Sequence, residues 1–126
     1  MNAVLLDADC CDPLYRKAIR TSMGATLGVP YARAEEEDWP AVLTRVRAAR
    51  FTLAALTPRE PSETLASFAA RPRDARIALL VGTEGAGLTP AVEAAADYRV
   101  RIPISGRVDS LNLAVAAGIA LYQLRT

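Results

Sequence analysis

The 126 residues contain no histidine and only two cysteines. Without histidine, Ser-His-Asp and Cys-His catalysis are excluded, so any proton transfer has to use carboxylates, hydroxyls or an unusual arginine. Cys10 and Cys11 are adjacent. That suits neither an ordinary structural disulfide nor a metal site, because no further cysteine or histidine exists to complete a coordination shell. No metal is expected. No apolar run approaches the roughly 20 residues that a bilayer span requires, and the chain does not open on a basic segment followed by an apolar stretch. A soluble cytoplasmic protein with no membrane partner is expected. Charge of one sign is missing too, with 15 basic residues against 14 acidic ones and a net charge of +1. The field of the whole molecule therefore does not point to nucleic acid. Fourteen of the fifteen basic residues are arginine, which suits bidentate phosphate recognition, although a GC-rich coding sequence yields the same bias.

What is present is apolar surface. With 52% apolar residues the chain is long enough to bury one core and too short for two ordinary domains, so a single domain over 1–126 is expected. Strand-like apolar runs at 3–6, 28–32, 51–56, 77–81 and 99–104 alternate with helix-patterned stretches at 13–23, 39–50, 62–69, 90–96 and about 110–124. Ser62 is a plausible N-cap, and 77–81 reads as the most strongly buried strand. Residues 35–38 and 71–76 read as surface connections. This alternation predicts an α/β fold, a mostly parallel sheet flanked by helices.

Two segments carry chemistry. In Ile77-Ala-Leu-Leu-Val-Gly-Thr-Glu-Gly-Ala-Gly-Leu-Thr-Pro90 a buried strand ends in three glycines within six residues. Such strand ends border the ligand crevice of open α/β sheets, and glycine lets the backbone approach a ligand or take a positive φ. The segment is not a P-loop, and Pro90 stands where a dinucleotide fingerprint needs its third glycine. Glu84 either fixes the turn or positions a substrate. In the second segment, 100–124, a strand runs into Pro103, and Asp109 or Ser110 is placed to cap the last helix with Asn112 in its first turn. Two hydrogen-bonding side chains at a helix N-terminus could receive an anionic or ribose-bearing ligand. That helix is almost wholly apolar, which predicts either a two-fold dimer interface or a central core helix.

Together the segments resemble two motifs of the SpoU/TrmH-type RNA methyltransferases of the SPOUT group. Val81-Gly-Thr-Glu-Gly-Ala-Gly-Leu88 resembles the family's Gly-Asn-Glu-Gly-x-Gly-Leu, and Ile102-Pro-Ile-Ser-Gly-Arg-Val-Asp-Ser-Leu-Asn-Leu113 resembles its Ile-Pro-Met-x-Gly-x-x-x-Ser-Leu-Asn-Val. Residues 11–25 also resemble the segment after the family's second strand. The resemblance implies a C-terminal trefoil knot that holds S-adenosylmethionine largely through backbone groups. Gly82, Ile102, Ile104 and Leu111 would touch the cofactor, and Leu56 or Thr57 would close the adenine pocket. Glu84, Ser110 and Asn112 match residues that order the catalytic loop and the target ribose. Arg16, Arg20 and Ser22 would contact RNA, with an ordinary exposed helix face as the other reading of the arginines.

The implied activity is S-adenosylmethionine-dependent 2′-O-ribose methylation of tRNA or rRNA by a homodimer. The alternative is a non-catalytic RNA-binding or dimerisation module that keeps the knot fold. Two departures stand out: Thr83 replaces the family's asparagine, and the family's first motif, an asparagine followed by an arginine, finds no match. The chain is therefore expected to be an N-terminally truncated member, short by about one strand and one helix. Its activity alone is uncertain because that arginine is thought to help activate the ribose hydroxyl.

Overall fold

Leu53, Ala54 and Ala55 are all fully buried. A strand that is apolar at consecutive rather than alternate positions is one buried on both faces, as parallel strands in α/β sheets are. In the computed structural model, which describes residues 2–34, 39–72, 76–83, 85–106 and 111–125, these residues form the middle of β3 (Thr52–Leu56). β3 has parallel neighbours on both sides. On one side is β5 (Ile77–Leu80), and on the other β6 (Tyr98–Arg101), which in turn pairs with the two-residue β4 (Glu63–Thr64), so the order is β4-β6-β3-β5. Parallel neighbours need crossovers. α3 (Leu65–Ala70) and α4 (Pro90–Ala95) supply helices between successive strands, and α5 (Leu113–Leu124) follows β6.

The core cluster draws on four elements: Ala54 of β3, Leu65 and Phe68 of α3, Val100 of β6 and Ala120 of α5. Phe68 and Tyr98 meet in a tilted ring pair with centroids 5.1 Å apart. Asp97 ties the layers together at the start of the sheet. Its carboxylate accepts from the Leu53 amide at 2.8 Å and from Arg47 Nε at 3.1 Å, while its own amide donates to the Leu53 carbonyl.

Several element boundaries differ from the sequence reading, each for a local reason. Residues 77–81 are not the most buried strand, because β5 lies at the sheet edge and its residues are only half-buried; β3 holds the central place. Ser62 is not the cap of α3. Thr64 is, its hydroxyl accepting from the Ser67 amide at 3.2 Å, and Ser62 accepts from Arg101 instead. α5 begins at Leu113 with Asn112 as its N-cap, three residues later than expected. Asp109 and Ser110, the two expected caps, lie outside the described residues, as does Glu84; Asn112, expected inside the first turn, is the cap instead.

The chain divides into two units, Met1–Val42 and Leu43–Thr126, with α2 (Trp39–Ala48) running from one into the other. The first unit pairs β1 (Val4–Asp7) with β2 (Tyr31–Ala34) in parallel. Between them α1 (Arg16–Thr21) is shorter than the expected helix over 13–23. Asp12 folds residues 12–15 into a turn by accepting from the Leu14 amide at 2.8 Å, which delays the start. Met23 and Gly24 at φ 54° and 81° end the helix, and the Gly24 amide closes on the Ile19 carbonyl at 2.9 Å. Gly28 finishes a 3-10 turn over Ala25–Leu27, so β2 starts later than the expected 28.

After β1 the chain wraps around Arg33, whose guanidinium donates to the carbonyls of Asp7, Cys10 and Cys11. The Cys10 thiol donates to Asp7, which holds that carboxyl below its usual range. Burial first, and then the Asp7 contact, pushes the Cys10 thiol up. Both cysteines are free.

Candidate functional site

All strand pairs in the four-stranded sheet are parallel, so the carboxyl ends of β3, β5 and β6 lie along one edge. The register fixes who stands beside whom. Ala55 pairs with Leu80 and Leu56 with Val100, so one further step puts Leu56 beside Val81 and Thr57 beside Arg101. The Thr57 amide donates to the Val100 carbonyl at 2.9 Å, carrying the ladder past the last strand residue. Leu56, Thr57, Gly82 and Ile102, separated by up to 46 positions, are thus brought to one edge, with Ile104 two residues beyond. Leu56 and Ile102 rest half-buried on the core cluster, and the apolar Val81 at the end of β5 is 42% exposed. A row of partly exposed apolar side chains above a closed core fits a flat apolar ring together with backbone hydrogen-bonding groups.

Gly82 is required by the turn itself. A Cβ there would lie 2.1 Å from the Gly87 carbonyl carbon and 2.2 Å from the Leu88 nitrogen, both backbone atoms that no rotamer change could move. A tight reversal is closed between Thr83 and Gly87: the two form a bridge, the Gly87 amide donates to the Thr83 carbonyl at 3.0 Å, and Gly85 and Gly87 take φ of 87° and 70°. The three glycines therefore serve one backbone-lined turn at the end of β5.

Thr57 is 3% exposed and its side chain is engaged inward. Its hydroxyl donates to Glu93 Oε1 at 2.8 Å, while the same oxygen accepts from the Arg59 amide at 3.2 Å. Only the backbone of Thr57 is available to a ligand at the edge. Glu93, 6% exposed on α4, is also paired with Arg59 Nη1 at 3.0 Å through Oε1 and with Arg99 Nη2 at 2.9 Å through Oε2. Burial of a carboxylate requires such partners. Arg59 then reaches on to the glycine turn, donating to the carbonyls of Leu88 at 3.0 Å and of Ala86.

The sequence reading missed this buried carboxylate and its two arginines. The available signal was that Glu93 is the only charge in a helix otherwise made of alanine, valine and proline.

The remaining expected residues sit elsewhere. Leu111 is half-buried just ahead of α5. The side-chain oxygen of Asn112 accepts from the amides of Ala114 and Val115 at 2.9 and 3.3 Å, so capping occupies it. In the first unit Arg16 and Arg20, one helical turn apart, are exposed and form no ion pair among the described residues. Ser22 donates to the Ile19 carbonyl at 3.2 Å and accepts from the Thr26 amide, which closes the helix end. An open depression of about 480 Å³ is lined by Pro61, Glu63, Glu93, Asp97, Tyr98 and Arg99 and borders the beginning of β6. Among the described residues no helix is long and apolar enough to cross a membrane.

Known proteins are similar to this chain in sequence and in fold. The chain is 49% identical over 123 residues to an uncharacterised tRNA/rRNA methyltransferase of Mycobacterium tuberculosis, covering 98% of itself and 42% of that relative. It is 30% identical over 127 residues to the 23S rRNA (guanosine(2553)-2′-O)-methyltransferase RlmP of Bacillus subtilis, covering 99% and 48%. The chain thus spans less than half the length of these curated relatives. Among solved structures it superposes with a TM-score of 0.79 and 29% identity on an AdoMet-bound rRNA methyltransferase from Sinorhizobium meliloti, covering 98% of this chain and 45% of that one. The SpoU methyltransferase AviRb from Streptomyces viridochromogenes, also solved with AdoMet, gives 0.79 at 28% identity, with 95% and 47% covered. The model of the SpoU rRNA methylase family matches residues 1–122, and the chain belongs to that family.

Proposed function

We propose that this chain is the S-adenosylmethionine-binding part of a tRNA or rRNA 2′-O-ribose methyltransferase. The observation that carries the reading is the convergence of Leu56, Thr57, Gly82 and Ile102 on one carboxyl edge of a parallel sheet, beside a turn lined by backbone. When bound, S-adenosylmethionine supplies a methyl group on a sulfonium, already activated for transfer to a hydroxyl. The chain's own residues then bind and orient. Leu56, Ile102, Ile104 and Leu111 offer apolar walls for the adenine, and the backbone at Thr57 and Gly82 offers hydrogen bonds. Glu84, Ser110 and Asn112 would order the catalytic loop and the ribose. The trefoil knot over the C-terminal part, a cytoplasmic setting and the inclusion of these residues in one methyltransferase domain belong to the same reading.

Arg16 and Arg20 present two exposed guanidiniums on one face of α1, a geometry suited to successive phosphates, with Ser22 at the end of that helix. α5 supports a homodimer: Val115, Ile119, Leu121 and Tyr122 are 38–67% exposed on a helix with no charged residue, an apolar surface that a second copy would cover.

Calorimetric titration with S-adenosylhomocysteine tests the reading. The chain should bind, sediment as a dimer, and lose affinity by at least about tenfold in Leu111→Asp and Ile104→Asp, since removing an apolar contact of this size forfeits about 1.5–3 kcal/mol. Equal affinity in both variants, or no binding by the folded chain, would overturn it.

A further inference from the structure

Arg59 joins the end of β3 to a stretch 27 to 34 positions further on, the glycine turn and the helix α4 that follows it. Its amide donates to the Thr57 hydroxyl at the end of β3, its Nη1 donates to Glu93 on α4 and to the Leu88 carbonyl, and its Nη2 donates to the Ala86 carbonyl. Two of these acceptors are backbone carbonyls of the glycine turn. Among the described residues of the turn, Gly85 and Gly87 have positive φ and no side chains to pack, and the bond from Gly87 to Thr83 is internal to it. Arg59 Nη2 would stand 3.6 Å from a Cβ at Gly87, so the guanidinium lies directly against the turn.

The anchor behind the guanidinium is equally specific. Glu93 is almost fully buried, and Arg99 on β6 holds its second oxygen. The carboxylate therefore cannot follow a moving turn, and Arg59 transmits its fixed position to Ala86 and Leu88. A planar guanidinium can satisfy a carboxylate and two carbonyls at once; an ammonium is a point charge and cannot hold the same fork.

We infer that Arg59, braced by Glu93, is a positioning residue of the cofactor site: it fixes the 82–88 turn against the end of β3 in the conformation that receives S-adenosylmethionine. The inference rests on the cofactor reading above. Arg59 acts from behind the turn, so its loss should loosen the site without unfolding the sheet.

The test uses the 126-residue chain with Arg59→Gln, Arg59→Lys and, as a control, Arg76→Gln, which removes another arginine-to-carbonyl bond, to Ala49, and a contact over Phe51. S-adenosylhomocysteine affinity is read by calorimetry and amide exchange by mass spectrometry. Arg59→Gln should weaken binding by about tenfold, in line with loss of a hydrogen bond to a charged group. It should also speed exchange over 83–88 while β3 stays as protected as in the wild type. Arg59→Lys should fall between the two, and Arg76→Gln should bind as the wild type does. Wild-type affinity in Arg59→Gln, or weakened binding with uniformly faster exchange and no rescue by lysine, would overturn the inference alone. Absence of binding by the wild-type chain would overturn the cofactor reading and this inference with it.

Discussion

Gly82→Ala is expected to destabilise the second unit by about 3 kcal/mol and to abolish cofactor binding, a large effect for a single methyl group. The cause is steric. The new Cβ would stand 2.1 Å from the Gly87 carbonyl carbon and 2.6 Å from its oxygen. Overpacking is usually relieved by a side chain turning aside, but here the obstacle is main chain, held on its far side by Arg59. The turn has to open, and the bond from the Gly87 amide to Thr83 has to break. Urea unfolding reads the loss. A variant of wild-type stability would mean that the turn is not closed in this way. The same reasoning makes Gly82 a poor probe of cofactor contact, because its substitution disturbs the fold first; Leu111 and Ile104 lie outside the core cluster and report on binding more directly.

Glu93→Ala is expected to cost about 2 kcal/mol, again by urea unfolding. Breaking a buried ion pair costs about 3–5 kcal/mol when the abandoned partner stays buried. Here the side chains of Arg59 and Arg99 are 46% and 29% exposed, so both can turn towards water and the loss is smaller. What cannot be recovered is the Thr57 hydroxyl, which is buried and loses its acceptor. Glu93→Gln keeps an oxygen for Thr57 and should lose about 1 kcal/mol. If alanine and glutamine were both as stable as the wild type, Glu93 would not organise this end of the sheet.

The sheet was legible in the sequence because short apolar runs such as 51–56 and 77–81 alternate with helix-patterned stretches, the pattern of parallel strands joined by helices. Their rank was not legible. The 77–80 run looks more buried than 52–56, yet β5 is an edge strand, and strand order depends on crossovers that periodicity does not encode. Boundaries moved where a side chain competed for a backbone group: Asp12 delayed α1, Thr64 capped α3 in place of Ser62, and Asn112 took the start of α5. The glycine motif pointed to its turn because three glycines so close together have few other uses. By contrast, Arg59 reads as a loop charge and Glu93 as the outer face of a short helix. Their pairing spans 34 positions and forms only after β3 and α4 are in place.

The most direct test of the account is to locate S-adenosylhomocysteine on the folded chain by amide chemical-shift perturbation. The account predicts that the largest changes fall on Thr57, Gly82, Thr83, Ile102, Ile104 and Leu111, at the carboxyl ends of β3, β5 and β6 and just ahead of α5. Changes centred instead on Glu63, Asp97, Tyr98 and Arg99, in the open depression at the beginning of β6, would contradict it.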